Sequence, residues 1–372
     1  MPIPFVDMRA RVDSIRGELE AAIARVLDSG SFILGPEGEA FERELAEQLG
    51  AADAVGVANG TEALQLALMS LGVGDGDEVV TSPLSAGYTA LAVSATGARP
   101  VFADLDATTL NVSPAAMAHA ITPRTKVLLP VHLYGHPADM DEILAVARAR
   151  GMAVLEDACQ AHGALYAGRP VGTLGGIGAL SCYPTKNLGA LGDGGAVLVA
   201  ARERATAIRR LRNGGQSDRY RHESFGLNSR LDELQAALLR VGLRHLGAWT
   251  ERRRHLAAVY RRELEGAGVA LPTEQPYARA VHHLFVIRHP RRDALRAALE
   301  ARGIGTLIHY PIPLHLQPAF ASLGGRPGQF PVAEKAAGEI LSLPLYPEMN
   351  DELVREVAEA VRDAAAGLGG AP

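Results

Sequence analysis

A lysine set among glycines and hydroxyl groups, Lys186 in SCYPTKNLGALGDGG (181–195), is the residue of this chain best placed for covalent chemistry. Ser181, Tyr183 and Thr185 precede it, and Gly189, Gly192, Gly194 and Gly195 follow. Lysines are seldom buried without a task. One held in a compact, water-poor loop gives up its proton more readily and can attack a carbonyl to form a Schiff base. The loop lacks the GxxxxGK[ST] phosphate-binding pattern, and no GxGxxG follows a strand, so neither nucleotide fingerprint applies. The 37 basic residues include only three lysines, Lys126, Lys186 and Lys335, which leaves few competitors for the role.

Three other groups are candidates to work with it. In LEDACQAHG (155–163), Glu156 and Asp157 end an apolar run, so one carboxylate should project beyond a strand. Such an acid is as readily structural as functional. Gln160 lies one helical turn further on, and His162 reads as a ligand, a base or a hydrogen-bonded structural residue. In NGTEAL (59–64), a strand gives way to a helix that Thr61 is expected to cap, and Gly60 lets the backbone approach a ligand closely. Taken alone, a capped helix after a tight turn accounts for it. Tyr88 follows the run EVVTS and offers a flat aromatic face. Together these are the parts pyridoxal-phosphate (PLP) chemistry requires: a lysine, a carboxylate (Asp157) on the pyridine nitrogen, a phosphate cup (59–61 with Ser181) and an aromatic ring on the cofactor.

The elements that must position them follow from periodicity. Short apolar runs at 54–58, 78–82, 100–104, 126–132, 152–157, 179–183 and 196–200 alternate with helical patterns at 61–71, 87–96, 114–120, 139–149 and 202–212. A further helical pattern covers 39–49. This alternation predicts an α/β domain with a mainly parallel, seven-stranded sheet flanked by helices, binding its ligand beyond the carboxyl ends of the strands. After about residue 228 a long helical stretch (229–266) leads to a strand (282–288), a helix (291–302), a Pro-rich loop (309–318) and a closing helix (351–366). The expected division is a large cofactor domain over 1–245 and a smaller α+β domain over 246–372.

Composition narrows the classes. With 48% hydrophobic and 21% charged residues, the 372-residue chain can bury a sizeable core, and its net charge of −5 argues against a nucleic-acid surface. Two cysteines, Cys159 and Cys182, make neither a disulfide framework nor a CxxC metal site, so no metal is expected. No apolar run approaches the roughly 20 residues of a membrane helix, and the polar N-terminus has no signal core. The expectation is a cytoplasmic protein.

In order along nearly the whole chain, FILGPEGEAFE (32–42), VANGTEALQLAL (57–68), VHLYGHPADMD (131–141), LEDACQAHGALYAGRPVG (155–172), SCYPTKNLGALGDGG (181–195), NSRLDELQAA (228–237) and HYPIPLHLQPAF (309–320) resemble the DegT/StrS-type nucleotide-sugar aminotransferases of PLP fold type I. The resemblance implies that Lys186 is the Schiff-base lysine and proton-transfer base. It places Asp157 on the pyridine nitrogen, Tyr88 on the ring and Gln160 near the ring and its 3-hydroxyl. Gly60, Thr61 and Ser181 fall in the phosphate cup. Asn228 matches a residue lent by the neighbouring subunit, which implies a homodimer with shared active sites. Tyr183, His309 and Tyr310 fall where the sugar nucleotide binds. A lysine, where sugar-deoxygenating relatives carry histidine, implies transamination. The GDGG at 192–195 resembles members acting on 3-keto sugars, although Thr185 and His136 depart from that group's usual residues. The implied activity is transfer of an amino group from glutamate to C3 of a nucleotide-linked keto-hexose, with dTDP as the carrier, in deoxyamino-sugar and antibiotic biosynthesis. The cofactor alternates between pyridoxal and pyridoxamine phosphate. A 4-keto sugar or a keto-cyclitol is the alternative acceptor, and a non-catalytic regulatory homologue the alternative of another class.

Overall fold

The structure is a computed structural model that describes residues 2–369. Seven strands form the central sheet: β1 (Asp53–Val57), β2 (Glu78–Thr81), β3 (Arg99–Phe102), β4 (Thr125–Leu129), β5 (Ala153–Asp157), β6 (Gly176–Ser181) and β7 (Gly195–Val199). Their order is β1-β7-β6-β5-β4-β2-β3. Pairings from β3 across to β6 are parallel, and β7 runs antiparallel to both neighbours. The carboxyl ends of β1, β2, β4, β5 and β6 therefore share one edge. Gly195, the first residue of β7, meets them there, paired with both Val57 and Ser181.

Alternate residues of each strand enter different cores, as the period of two requires. Val79, Val127, Leu129, Leu155, Val197 and Val199 pack with α4 (Gly60–Ser70) and α8 (Arg202–Leu211). On the opposite face, Val80, Leu128, Val154, Ala196 and Leu198 pack with α3 (Pro36–Gln48), α7 (Met140–Arg150) and α9 (Glu233–Glu263). Both faces are covered, which is why the strands read as unbroken apolar runs rather than alternating ones. Two further elements at this edge are α5 (Gly87–Ser94) and the turns of residues 158–164, where a helical turn was expected after Asp157.

Helix α9 passes from one core to another. Ala236, Leu239, Leu243 and Leu246 pack beneath the large sheet. Leu256, Val259 and Tyr260 join a second core with the antiparallel pair β8 (Phe285–Arg288) and β9 (Ile340–Leu343) and with helices Arg292–Ala301 and Asp351–Leu368. We propose the division 1–245 and 246–372 on this basis, residues 1 and 370–372 lying outside the described ones. Ile3 and Val6 cross that division and pack in the second core. The sequence patterns did not predict α1 (Met8–Ser14), α2 (Arg16–Ser29), β9 or the helix Pro331–Glu339. Among the described residues, no helix is long and apolar enough to cross a membrane.

The first turn of α3 is capped from a distance. Its N-cap, Gly35, offers no side chain. The buried carboxylate of Glu233, at the start of α9, accepts instead from the amides of Gly35 (2.9 Å), Glu37 (2.8 Å) and Gly38 (2.8 Å).

Candidate active site

At the carboxyl edge lies a cleft of about 870 Å³, bounded on its far side by residues His283, His309 and Tyr310. Gly60, Thr61, Tyr88, Asp157, Gln160, Ser181, Tyr183 and Lys186 line it with His309 and Tyr310. Of the residues expected to bind cofactor or sugar, Asn228 alone does not. It is exposed, just after a projecting hairpin (Gln216–Asp218 with Arg221–His222), and its neighbour Ser229 instead accepts from the amide of Ala58 at 3.2 Å.

Glu156 and Asp157 part company, because successive strand residues point opposite ways. Glu156 is fully buried away from the cleft, where it meets His132 Nε2 at 3.0 Å and the amides of Gly172 and Gly175 at 2.7 and 2.8 Å. It is structural. Asp157 faces the cleft with 4% of its surface exposed, accepting from Thr89 Oγ1 at 2.8 Å and the Cys159 amide at 3.2 Å.

Lys186 stands on the floor in a half-buried position, its loop closed by a bond from its amide to the Tyr183 carbonyl at 2.8 Å. Desolvation draws its pKa below the ordinary lysine value, and Cys159 and Asp157, acting through space, offset only part of this. Lys126 is instead bonded to Asp77 at 3.1 Å, and Lys335 lies 3.9 Å from Glu339. The neutral amine that a nucleophile or proton acceptor needs is thus favoured at Lys186 by burial.

The 59–61 turn forms the wall beside it. Asn59, not Thr61, caps α4, its Oδ1 accepting from the Glu62 amide at 2.9 Å. The expected cap is corrected by two positions: Gly60 opens the helix and Thr61 sits inside its first turn. An asparagine in extended conformation reaches the third amide ahead, which frees those of Gly60 and Thr61 to face a ligand. A Cβ on Gly60 would lie 2.6 Å from Ser181 Cβ, so only glycine lets this turn press against Ser181. Helix N-terminus, bare amides and hydroxyl groups make a cradle for a phosphate.

Across the cleft, side chains bind the two cores together. Gln160 Oε1 accepts from the Tyr134 amide at 2.7 Å, and its Nε2 donates to Tyr310 Oη at 2.9 Å. Tyr134, left-handed at φ 59°, donates its hydroxyl to the His309 carbonyl. His309 Nδ1 pairs with Ser342 Oγ of β9 at 2.8 Å, and its pKa is lowered to about 4 by burial and by Lys186. Asn187 reaches the Val281 carbonyl at 3.1 Å. His162 lies outside the cleft lining, fully buried with both ring nitrogens unbonded, and burial holds it neutral with a pKa of about 3. The sequence reading missed Ser85, Thr89, Cys159 and His283, which also line the cleft. The pairings of Thr89 with Asp157 and of His283 with Asn187 span many residues, and the one local signal was Ser85 and Thr89 at helical spacing beside Tyr88. Of the arginines near the 228 loop, Arg212 is already committed to Glu42 and to the Gly56 carbonyl.

This sheet order, with a desolvated lysine, a buried carboxylate and bare helix amides at its carboxyl edge, is the arrangement of the fold type I PLP enzymes. Residues 13–362 match the DegT/DnrJ/EryC1/StrS aminotransferase family, and the chain belongs to it. Over 362 residues it is 50% identical to the dTDP-3-amino-3,4,6-trideoxy-alpha-D-glucose transaminase of Streptomyces venezuelae, covering 97% of this chain and 96% of that one. Its fold matches S. venezuelae DesV, solved in complex with a ketimine intermediate, at a TM-score of 0.96 and 50% identity over 98% of each chain. NtdA from Bacillus subtilis, solved with its cofactor PMP (pyridoxamine phosphate) bound, matches at a TM-score of 0.90 and 31% identity, covering 98% of this chain and 85% of that one.

Proposed function

We propose that this aminotransferase moves an amino group from L-glutamate to C3 of a dTDP-linked keto-hexose in deoxyamino-sugar biosynthesis. The observation that supports it most is the convergence, in one cleft, of a desolvated, unpaired lysine with Asp157 and the Gly60–Thr61–Ser181 cradle. Those groups fit the cofactor: Gly60, Thr61 and Ser181 would hold its phosphate, Asp157 its pyridine nitrogen, Lys186 its carbonyl carbon, Tyr88 a ring face and Gln160 the ring's edge. When bound, the cofactor supplies a carbon that takes up the amino group and a cationic ring that accepts electron density.

The chain's own residues supply the rest. Asp157 keeps a proton on the ring nitrogen. Lys186 Nζ, favoured in its neutral form by burial, takes the proton from the α-carbon of glutamate in one half-reaction and returns one to C3 of the sugar in the other. The sugar is held at the mouth by Tyr183, His309 and Tyr310. His309, neutral at physiological pH, binds by hydrogen bonding rather than charge. The identity to a transaminase whose name specifies a 3-amino dTDP sugar favours C3 over C4.

Asn228 would complete the phosphate cradle of a second copy. It is exposed and absent from its own cleft, and the hairpin segment before it carries Tyr220 and Phe225, 81% and 98% exposed, as an apolar surface for that copy. Sedimentation of the purified protein should therefore give a dimer.

The test is the visible spectrum before and after glutamate. A yellow band that bleaches, with release of 2-oxoglutarate, is the expected result. Protein that stays colourless with added cofactor would sink the reading. Lys186→Ala should lower turnover by at least ~10³-fold, the upper range for one proton-transfer group, while still binding pyridoxamine phosphate.

A further inference from the structure

The carboxylate that faces the cleft is oriented by a side chain 68 residues away, since Thr89 Oγ1 donates to Asp157 Oδ2 at 2.8 Å. Ser85 Oγ lies 3.0 Å from Thr89 Oγ1. All three residues are buried, at 2%, 2% and 4% exposure for Ser85, Thr89 and Asp157. A hydroxyl owns one proton, and an ionised carboxylate only accepts. Thr89 therefore spends its proton on Asp157, and the bond between the hydroxyls runs from Ser85 to Thr89. The direction of the chain is fixed by counting protons.

We propose that Ser85 and Thr89 form a hydroxyl relay that orients Asp157 and holds negative charge on it, so that Thr89 is a positioning residue for the cofactor's ring nitrogen. The proposal rests on the reading of Asp157 given above. Bonds in such a chain polarise one another, and a dry site strengthens each. Asp157's other oxygen accepts over a longer distance, from the Cys159 amide at 3.2 Å. Gln160 is engaged by Tyr134 and Tyr310 instead. The ionisable groups facing Asp157 are Lys186, Cys159 and Tyr310, and burial keeps the last two neutral by raising their pKa values. Among the described residues Lys186 is thus the one basic group facing the carboxylate, and burial draws it toward the neutral amine, which leaves the Thr89 hydroxyl as the close donor to Oδ2. Without the Thr89 donor, the proton shared by Asp157 and the pyridine nitrogen shifts toward the carboxylate, and the ring's positive charge falls.

The experiment compares wild type, Thr89→Val, Thr89→Ser and Ser85→Ala, each loaded with PLP, by titrating the visible band against pH. A less positive ring makes the imine nitrogen beside it more basic. Thr89→Val should therefore raise the band's titration midpoint by about one pH unit and lower kcat roughly tenfold. Its affinity for pyridoxamine phosphate should change little. Thr89→Ser should restore both values, and Ser85→Ala should move them part of the way. The relay is refuted if Thr89→Val leaves the midpoint unchanged, or if Thr89→Ser behaves as Thr89→Val does. A wild-type protein with no visible band would remove the Asp157 reading itself, and the relay with it.

Discussion

Asp157 and Glu156 are adjacent carboxylates, and the structure separates them into a cleft group and a structural group by the alternation of one strand. If Asp157 holds the ring proton as proposed, Asp157→Asn should cut kcat by at least ~100-fold, the loss typical of removing one preorganised electrostatic partner. Pyridoxamine phosphate should still bind. Steady-state rates with an equilibrium titration check this, and a variant within about fivefold of wild type, far short of that loss, would contradict it. At this scale the sequence was informative wherever a residue type was scarce or its neighbours unusual. Lys186 stood out among three lysines, and Asp157 by ending a strand. Thr89, one threonine among many, carried no such mark, because its partner lies 68 residues away.

Elements were legible where both their faces are buried or their period is regular. All seven sheet strands and the helices between them were predicted within a few residues, since short apolar, β-branched runs alternating with longer helical patterns fit strands covered on both faces. Strand β9 escaped because its ILSL directly follows a helix with no turn residue between them. The true cap of α4 escaped because Asn59 and Thr61 are both good cap residues and spacing alone does not choose. Gly60→Ala tests the cradle: with its Cβ 2.6 Å from that of Ser181, the turn must move, and affinity for pyridoxamine phosphate should fall at least tenfold. The long-range cap of α3 was equally invisible. Glu233→Ala strips a buried carboxylate from three amides and should cost roughly 3 kcal/mol in a urea titration. A loss below about 1 kcal/mol would mean that α3 holds its start without it.

The whole molecule buries several histidines in whole or in part. Burial lowers His136 to about 4, His162 to about 3 and His309 to about 4, from an ordinary value of 6.5. The folded chain thus refuses protons that the unfolded chain accepts below about pH 6.5. Stability is full above that value and falls toward pH 4 by about 1.4 kcal/mol per pH unit for each histidine. Glu274, held low by His282, Arg254 and the Ala280 amide against its own desolvation, acts with the same sign at lower pH, since its contribution is lost as it protonates. Urea midpoints of the cofactor-free protein at about pH 7.5 and about pH 5 should therefore differ, with the lower at the acid end. Equal midpoints would show that these imidazoles reach solvent.

The makeup of the surface also governs how the protein acquires its cofactor. An aldehyde condenses with any free amine it meets, and most proteins offer it many. Here the cationic surface is built almost wholly from guanidinium groups, which do not form imines at physiological pH. Of the two other ε-amines, one is held between Asp77 and the Gly72 carbonyl and one lies beside Glu339. Loading should approach one aldehyde per chain from a modest excess, with off-site labelling limited to these two lysines and the α-amine.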